Sequence, residues 1–150
     1  MSLKDKINQD LKSAMKEKDS IKLESLRAIK SAIILFETKD SSSNELNESD
    51  EIKILQRLVK QRKESAQIFE RQRRNDLAET EIIQSEFISK YLPKQLSKKE
   101  VEDIVLRIIE ETNSSGMKDM GKVMGMATKE LSGKADGKTI SEIVRKNLNN

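Results

Sequence analysis

The sequence predicts an all-α protein, a multi-helix N-terminal domain followed by a small three-helix C-terminal domain, and three observations carry that prediction. Apolar residues recur at three- and four-residue intervals along nearly the whole chain, and the strict alternation of a half-buried strand is absent. Residues suited to helix capping stand just ahead of the apolar stripes. The helix breakers are concentrated: the one proline is Pro93, and all five glycines fall between positions 116 and 137.

Ser2, with Asp5 three residues on, opens a first helix whose stripe is Leu3, Ile7, Leu11, Ala14 and Met15. After a break near 18–20, a second helix over roughly 19–38 carries Leu23, Leu26, Ile29, Ile33 and Phe36. Its continuous apolar run over 32–36 predicts burial on more than one side, as for the central helix of the N-terminal domain. Residues 40–49, with four serines and two asparagines, read as a polar loop.

Asn47 with Asp50 opens a long third helix through about Arg74, with Ile52, Leu55, Val59, Ala66 and Phe69 on one face. Arg62 falls on that same stripe. Either its aliphatic stem snorkels outward or its guanidinium pairs with a carboxylate. Asp76 with Glu79 caps a fourth helix carrying Leu77, Ile83, Phe87 and Tyr91, and Pro93 ends it. Ser97 and Glu100 then form a capping box ahead of Val101, Ile104, Val105, Ile108 and Ile109, the clearest amphipathic pattern in the chain. The expected boundary lies near 93–96, giving domains 1–95 and 96–150.

From Ser115 onward the pattern is helix, basic turn, helix. Met117, Met120, Met124, Ala127 and Leu131 share one stripe with Ser115 as N-cap, and Gly133 stops that helix. Asp136 caps the last one, ahead of Gly137, in which Ile140, Ile143, Val144 and Leu148 form the stripe. Gly121 and Gly125 sit inside the first of these helices, where each costs roughly 0.8 to 1 kcal/mol relative to alanine. Two readings compensate that cost. The glycines let a neighbouring helix pack close, or they leave a smooth groove for a foreign backbone beside Lys118, Lys122 and Lys129.

Gly116 to Lys122 has the spacing of a phosphate-binding loop, but Val123 stands where a hydroxyl must hold magnesium, and no strand precedes it. Nucleotide hydrolysis is therefore not expected. With no cysteine and no histidine, disulfides, thiolate nucleophiles, histidine-based triads and the usual zinc ligands are excluded. No cofactor and no metal are expected. Four aromatics, Phe36, Phe69, Phe87 and Tyr91, are too few for a base-stacking platform. The first six residues lack the apolar core of a signal peptide, and no run of 18 apolar residues occurs, so the expected location is the cytoplasm, away from membranes.

Charge is uneven within a net of +3. Between 52 and 75 eight basic residues face only Glu64 and Glu70, a net of +6, whereas 76–92 nets −3 from four acids and Lys90. Lys60, Lys63, Arg71 and Arg74 share one side of the third helix, either as a solvated face paired with the acidic fourth helix or as a phosphate-binding strip.

The blocks Ser-Gly-Met-Lys-Asp-Met-Gly-Lys-Val-Met-Gly from 115 and Gly-Lys-Ala-Asp-Gly-Lys from 133 resemble the C-terminal signature of the YqeY-like family. Lys60-Gln61-Arg62, Arg74-Asn75-Asp76-Leu77-Ala78-Glu79 and Tyr91-Leu92-Pro93-Lys94-Gln95-Leu96 fit the same pattern, so the resemblance spans nearly the whole chain. That family is similar to the tail domain of GatB, the B subunit of the glutamine-dependent amidotransferase that corrects misacylated tRNA. The resemblance implies an all-α fold and association with tRNA. It reaches the tail and not the catalytic domain or the ammonia-supplying subunit, so it carries a label of carbon-nitrogen ligase without implying catalysis by this chain alone.

What transfers, position by position, is RNA binding by Lys118, Lys122, Lys134 and Lys138, with Gly121, Gly125, Asp136 and Gly137 in structural roles. Lys122 would meet a phosphate beside the glycines. Lys134 and Lys138 flank a helix start, where free amides and the helix dipole favour anions. The expected partners are tRNA and, with it, amidotransferase subunits or an aminoacyl-tRNA synthetase. The alternative is a protein-interaction adaptor that uses a Met- and Gly-rich helical groove and makes no RNA contact.

Overall fold

A computed structural model describes residues 2–39 and 45–149, and among them there are seven α-helices, one short 3-10 turn and no strand. The protein is all-α. Its helices group into two compact units, Met1–Leu92 and Pro93–Asn150, each with its own core.

The first unit holds α1 (Leu3–Glu17), α2 (Ser20–Thr38), α3 (Glu48–Arg71) and α4 (Asn75–Ser89). Ser2 caps α1 by accepting the Asp5 amide at 3.2 Å, and Lys18 closes the helix in the left-handed conformation. Asp19 caps α2 through the Lys22 amide, and α2 packs against the other three helices of the unit. Asn47 and Asp50 form a complete capping box at the start of α3. Of the loop expected over 40–49, residues 40–44 lie outside the described residues, and α3 already begins at Glu48. Leu3, Ile7, Leu11, Leu26, Ile29, Ile33, Leu55, Val59 and Ile88 form the core.

Three expectations fail here, each for a packing reason. Met15 is 54% exposed, because Ala14 takes the last inward position of α1. The apolar run over 32–36 is buried on one side only: Ile33 is inside, while Ile34 and Leu35 face outward at 45% and 70% exposure. On α4, Leu77 and Ile83 are exposed, and the inward face is Ala78, Gln84, Ser85 and Ile88. Small side chains let α4 lie close against α3, so its buried stripe is not its most apolar one. Asp76 does not cap α4 either; its carboxylate pairs with Arg74 at 3.2 Å just ahead of the helix, and that pairing holds it below the usual carboxylate range.

Phe87 and Tyr91 meet edge to face at 5.8 Å and pack on the core rim. The Tyr91 hydroxyl donates to the Asp10 carboxylate, and burial together with that bond pushes the phenol well above its ordinary value.

The second unit holds α5 (Lys98–Thr112), a 3-10 turn (Met117–Asp119), α6 (Met120–Glu130) and α7 (Gly137–Leu148). Its core is Val101, Val105, Ile108, Val123, Ala127, Leu131, Ile140, Ile143, Val144 and Leu148. Val123 takes the place expected for Met117, which is exposed. Ser115 is not an N-cap: the chain enters α6 through the 3-10 turn, and the Asp119 carboxylate accepts the Ser115 amide at 2.8 Å. No helix of the described residues is long and apolar enough to cross a membrane.

Candidate nucleic-acid interface

The candidate residues surround α6. Gly116 adopts φ +71°, a conformation in which a side chain is strained, and so redirects the chain into the 3-10 turn that carries Lys118. Lys122 follows one turn later on the same helical face. At the far end Gly133, buried and at φ +77°, turns the chain out of α6 and starts the loop that carries Lys134.

That loop is pinned by two bonds that hydropathy patterning does not reveal. The Leu96 amide donates to the Lys134 carbonyl at 2.9 Å, and the Gln95 side-chain amide donates to the Gly133 carbonyl at 2.6 Å. Gln95 and Leu96 thus hold the basic turn in place, which gives the Tyr91 to Leu96 block a physical purpose at its C-terminal end.

Asp136 caps α7, accepting the Thr139 amide at 2.8 Å, with Gly137 and Lys138 in the first turn. The anion place at this helix start is therefore filled by the Asp136 carboxylate itself. A phosphate near Lys134 and Lys138 would have to bind through the ammonium groups rather than through helix amides.

All four lysines are exposed, and none takes part in an ion pair among the described residues. They do not converge on one point. Lys118 and Lys122 lie at the start of α6, and Lys134 and Lys138 lie past its end; at 1.5 Å per residue, the helix separates the two pairs by roughly 15 Å. Between them runs the outer face of α6.

Gly121 and Gly125 occupy that face. Both are exposed, and a Cβ built on either would meet nothing within 4 Å. The close-packing explanation fails: no neighbouring helix lies against these glycines. Exposed Lys129 and Met126 border the same bare strip, and Met117 is exposed at its entrance. Along one flank Arg107 of α5 binds Glu130 and Glu111, tying down the nearest carboxylates. The arrangement offers a smooth helical surface about two turns long with a pair of ammonium groups at each end.

The basic side of α3 is built differently. Arg74 is paired with Asp76, while Lys60, Lys63 and Arg71 make no ion pair among the described residues. The expected ladder of pairs with α4 is thus reduced to one contact at the helix junction. Among the described residues no group of three or more acidic side chains could hold a metal ion.

The family described as Yqey-like protein matches residues 4–148. The chain belongs to that family. It is 41% identical over 83 residues to altered inheritance of mitochondria protein 41, mitochondrial, of Clavispora lusitaniae, covering 55% of this chain and 47% of that protein. The protein of the same description from Kluyveromyces lactis is 31% identical over 137 residues, covering 89% of this chain and 69% of the relative. Similarity extends to a glutamyl-tRNA(Gln) amidotransferase subunit of Thermococcus sibiricus, 44% identical over 57 residues, which are 35% of this chain and 9% of that subunit. The chain thus spans about half of the Clavispora protein and a small part of the amidotransferase subunit.

Proposed function

We propose that this protein is a tRNA-associated accessory protein, related to the glutamine-dependent amidotransferases, whose C-terminal unit receives the phosphate backbone of folded RNA along the outer face of α6. The observation that carries the reading is the open space around Gly121 and Gly125, flanked by Lys118 and Lys122 at one end and Lys134 and Lys138 at the other. Two helix-weakening glycines facing solvent serve no packing purpose, but they let a backbone approach closely between ammonium groups. The similarity to a subunit named for tRNA amidotransfer supports RNA as the occupant. Recognition of this kind reads shape and phosphates more than base sequence. In this reading the chain acts beside a catalytic partner, an amidotransferase subunit or a synthetase, and does not amidate by itself. A cytoplasmic location accords with it, although the fungal relatives carry "mitochondrial" in their names.

The test is binding of labelled total tRNA at about 50 and about 200 mM salt, with duplex DNA as control. Four phosphate contacts should weaken binding roughly a hundredfold over that interval. A Lys122→Glu, Lys134→Glu, Lys138→Glu variant should lose the tRNA preference; equal binding by that variant would show that this face is not where RNA binds.

A second reading draws on the exposure of Met117 and Met126 beside the same glycines. A protein helix seated there would use adaptable methionine contacts and give a salt-insensitive complex. Such a complex, lost on Gly121→Leu with no tRNA binding at either salt, would favour the adaptor.

A further inference from the structure

The polar network beneath the α3–α4 hairpin takes no part in the RNA reading. Arg62 lies on the buried stripe of α3, where its Nε donates to Gln84 Oε1 at 3.2 Å and its Nη1 to the Leu58 carbonyl at 3.3 Å. Gln84, only 4% exposed, donates in turn to Glu24 of α2 at 3.1 Å. Arg62 therefore neither snorkels freely nor pairs directly with an acid, because the Gln84 amide stands between it and Glu24. Burying such groups costs solvation that apolar side chains would not, so stability alone does not explain them.

A cleft of ≈ 500 Å³ opens over this network, walled by Glu24, Glu64 and Glu81 and bordered by half-exposed Ile68. Three carboxylates face one guanidinium, a net of −2 within a chain that carries +3. None of the three acids takes part in an ion pair among the described residues, although the chain has 29 lysines and arginines. The interposed Gln84 amide keeps Arg62 from neutralising Glu24.

We propose that this cleft binds an ammonium or guanidinium group carried on an aliphatic stem. The carboxylates attract the head, Ile68 covers the methylenes, and the fixed Gln84 amide keeps the floor in shape before the ligand arrives. The group comes either from a free polyamine or from a lysine or arginine side chain of a partner protein.

The test titrates the full chain with spermidine and, separately, with N-acetyl-arginine amide at low salt, reading backbone amide shifts and binding heat. Shifts concentrated at 61–68 and 81–84 are expected, with affinity falling about tenfold in a Glu64→Gln, Glu81→Gln variant and unchanged in Glu110→Gln. Binding of spermidine alone identifies a polyamine site; binding of the arginine amide identifies a side-chain pocket. No binding by either probe, shifts centred elsewhere in the native protein, or undiminished affinity in the double variant would overturn the proposal. The native shift map stands even if the variant does not fold.

Discussion

Helix α5 contributes Val101, Val105 and Ile108 to the core of the C-terminal unit, and α6 contributes Val123, Ala127 and Leu131, all of them at most 1% exposed. Inside, the two helices are alike. Outside they differ in every respect that governs helix formation. α5 starts at a complete capping box, ends with Asn113 in the left-handed conformation, and carries no glycine. α6 starts from a 3-10 turn without a side-chain cap and holds two solvent-facing glycines in eleven residues. α5 is helical by its own sequence, whereas α6 is held helical by what it buries. A helix whose outer face is kept bare at a cost in stability is one whose surface is reserved for something that must come close.

Removing core support should separate the two most strongly. Leu131→Ala deletes a fully buried side chain just past α6 and should lower the stability of the unit by about 3 kcal/mol, measured by denaturant unfolding. Hydrogen exchange should show α6 opening before α5. Simultaneous opening would mean that the helices are equally self-sufficient.

Next in size is a gain. Gly121→Ala with Gly125→Ala adds two methyl groups into open space and removes two propensity penalties, so stability should rise by roughly 1.6 to 2 kcal/mol. A loss would show that the glycines serve the fold and not the surface.

The smallest effect belongs to α5. Ser97→Ala removes its cap and should cost about 1 kcal/mol. Bonds from the Ser97 amide, chiefly, and its hydroxyl hold the Glu100 carboxyl below its ordinary value. For an acid whose folded pKa is depressed, the contribution is present above the unfolded value and is lost as pH falls through the folded one. The penalty of Ser97→Ala should therefore shrink below about pH 4. No comparable acid dependence is expected from the start of α6, which lacks such a box.

Much of this was legible in the sequence where local chemistry decides the outcome. The starts of α1, α3, α5 and α7 follow from Ser2, Asn47, Ser97 and Asp136, each of which caps through its own side chain. Hydropathy misled where packing decides. On α4 it selected Leu77 and Ile83, whereas close approach to α3 buries Ala78, Gln84 and Ser85. In α2 it read five consecutive apolar residues as wholly buried, although a helix of this bundle hides only one side. At the candidate interface the lysines stood out by resemblance, but whether Gly121 and Gly125 faced a neighbour or solvent depends on where the other helices lie. Val123, displaced from the methionine stripe yet fully buried, was the available clue: it turns α6 so that both glycines point away from the core.

The central claim is that this bare face exists for a close-approaching RNA backbone. Its most direct test is the tRNA affinity of a Gly121→Leu, Gly125→Leu variant, which fills the strip with a good helix former while leaving every lysine in place. The expected result is a protein at least as stable as the native one whose tRNA binding is weakened about tenfold or more, the loss of two to three close phosphate contacts at low salt. Unchanged affinity in a stably folded variant would contradict the claim.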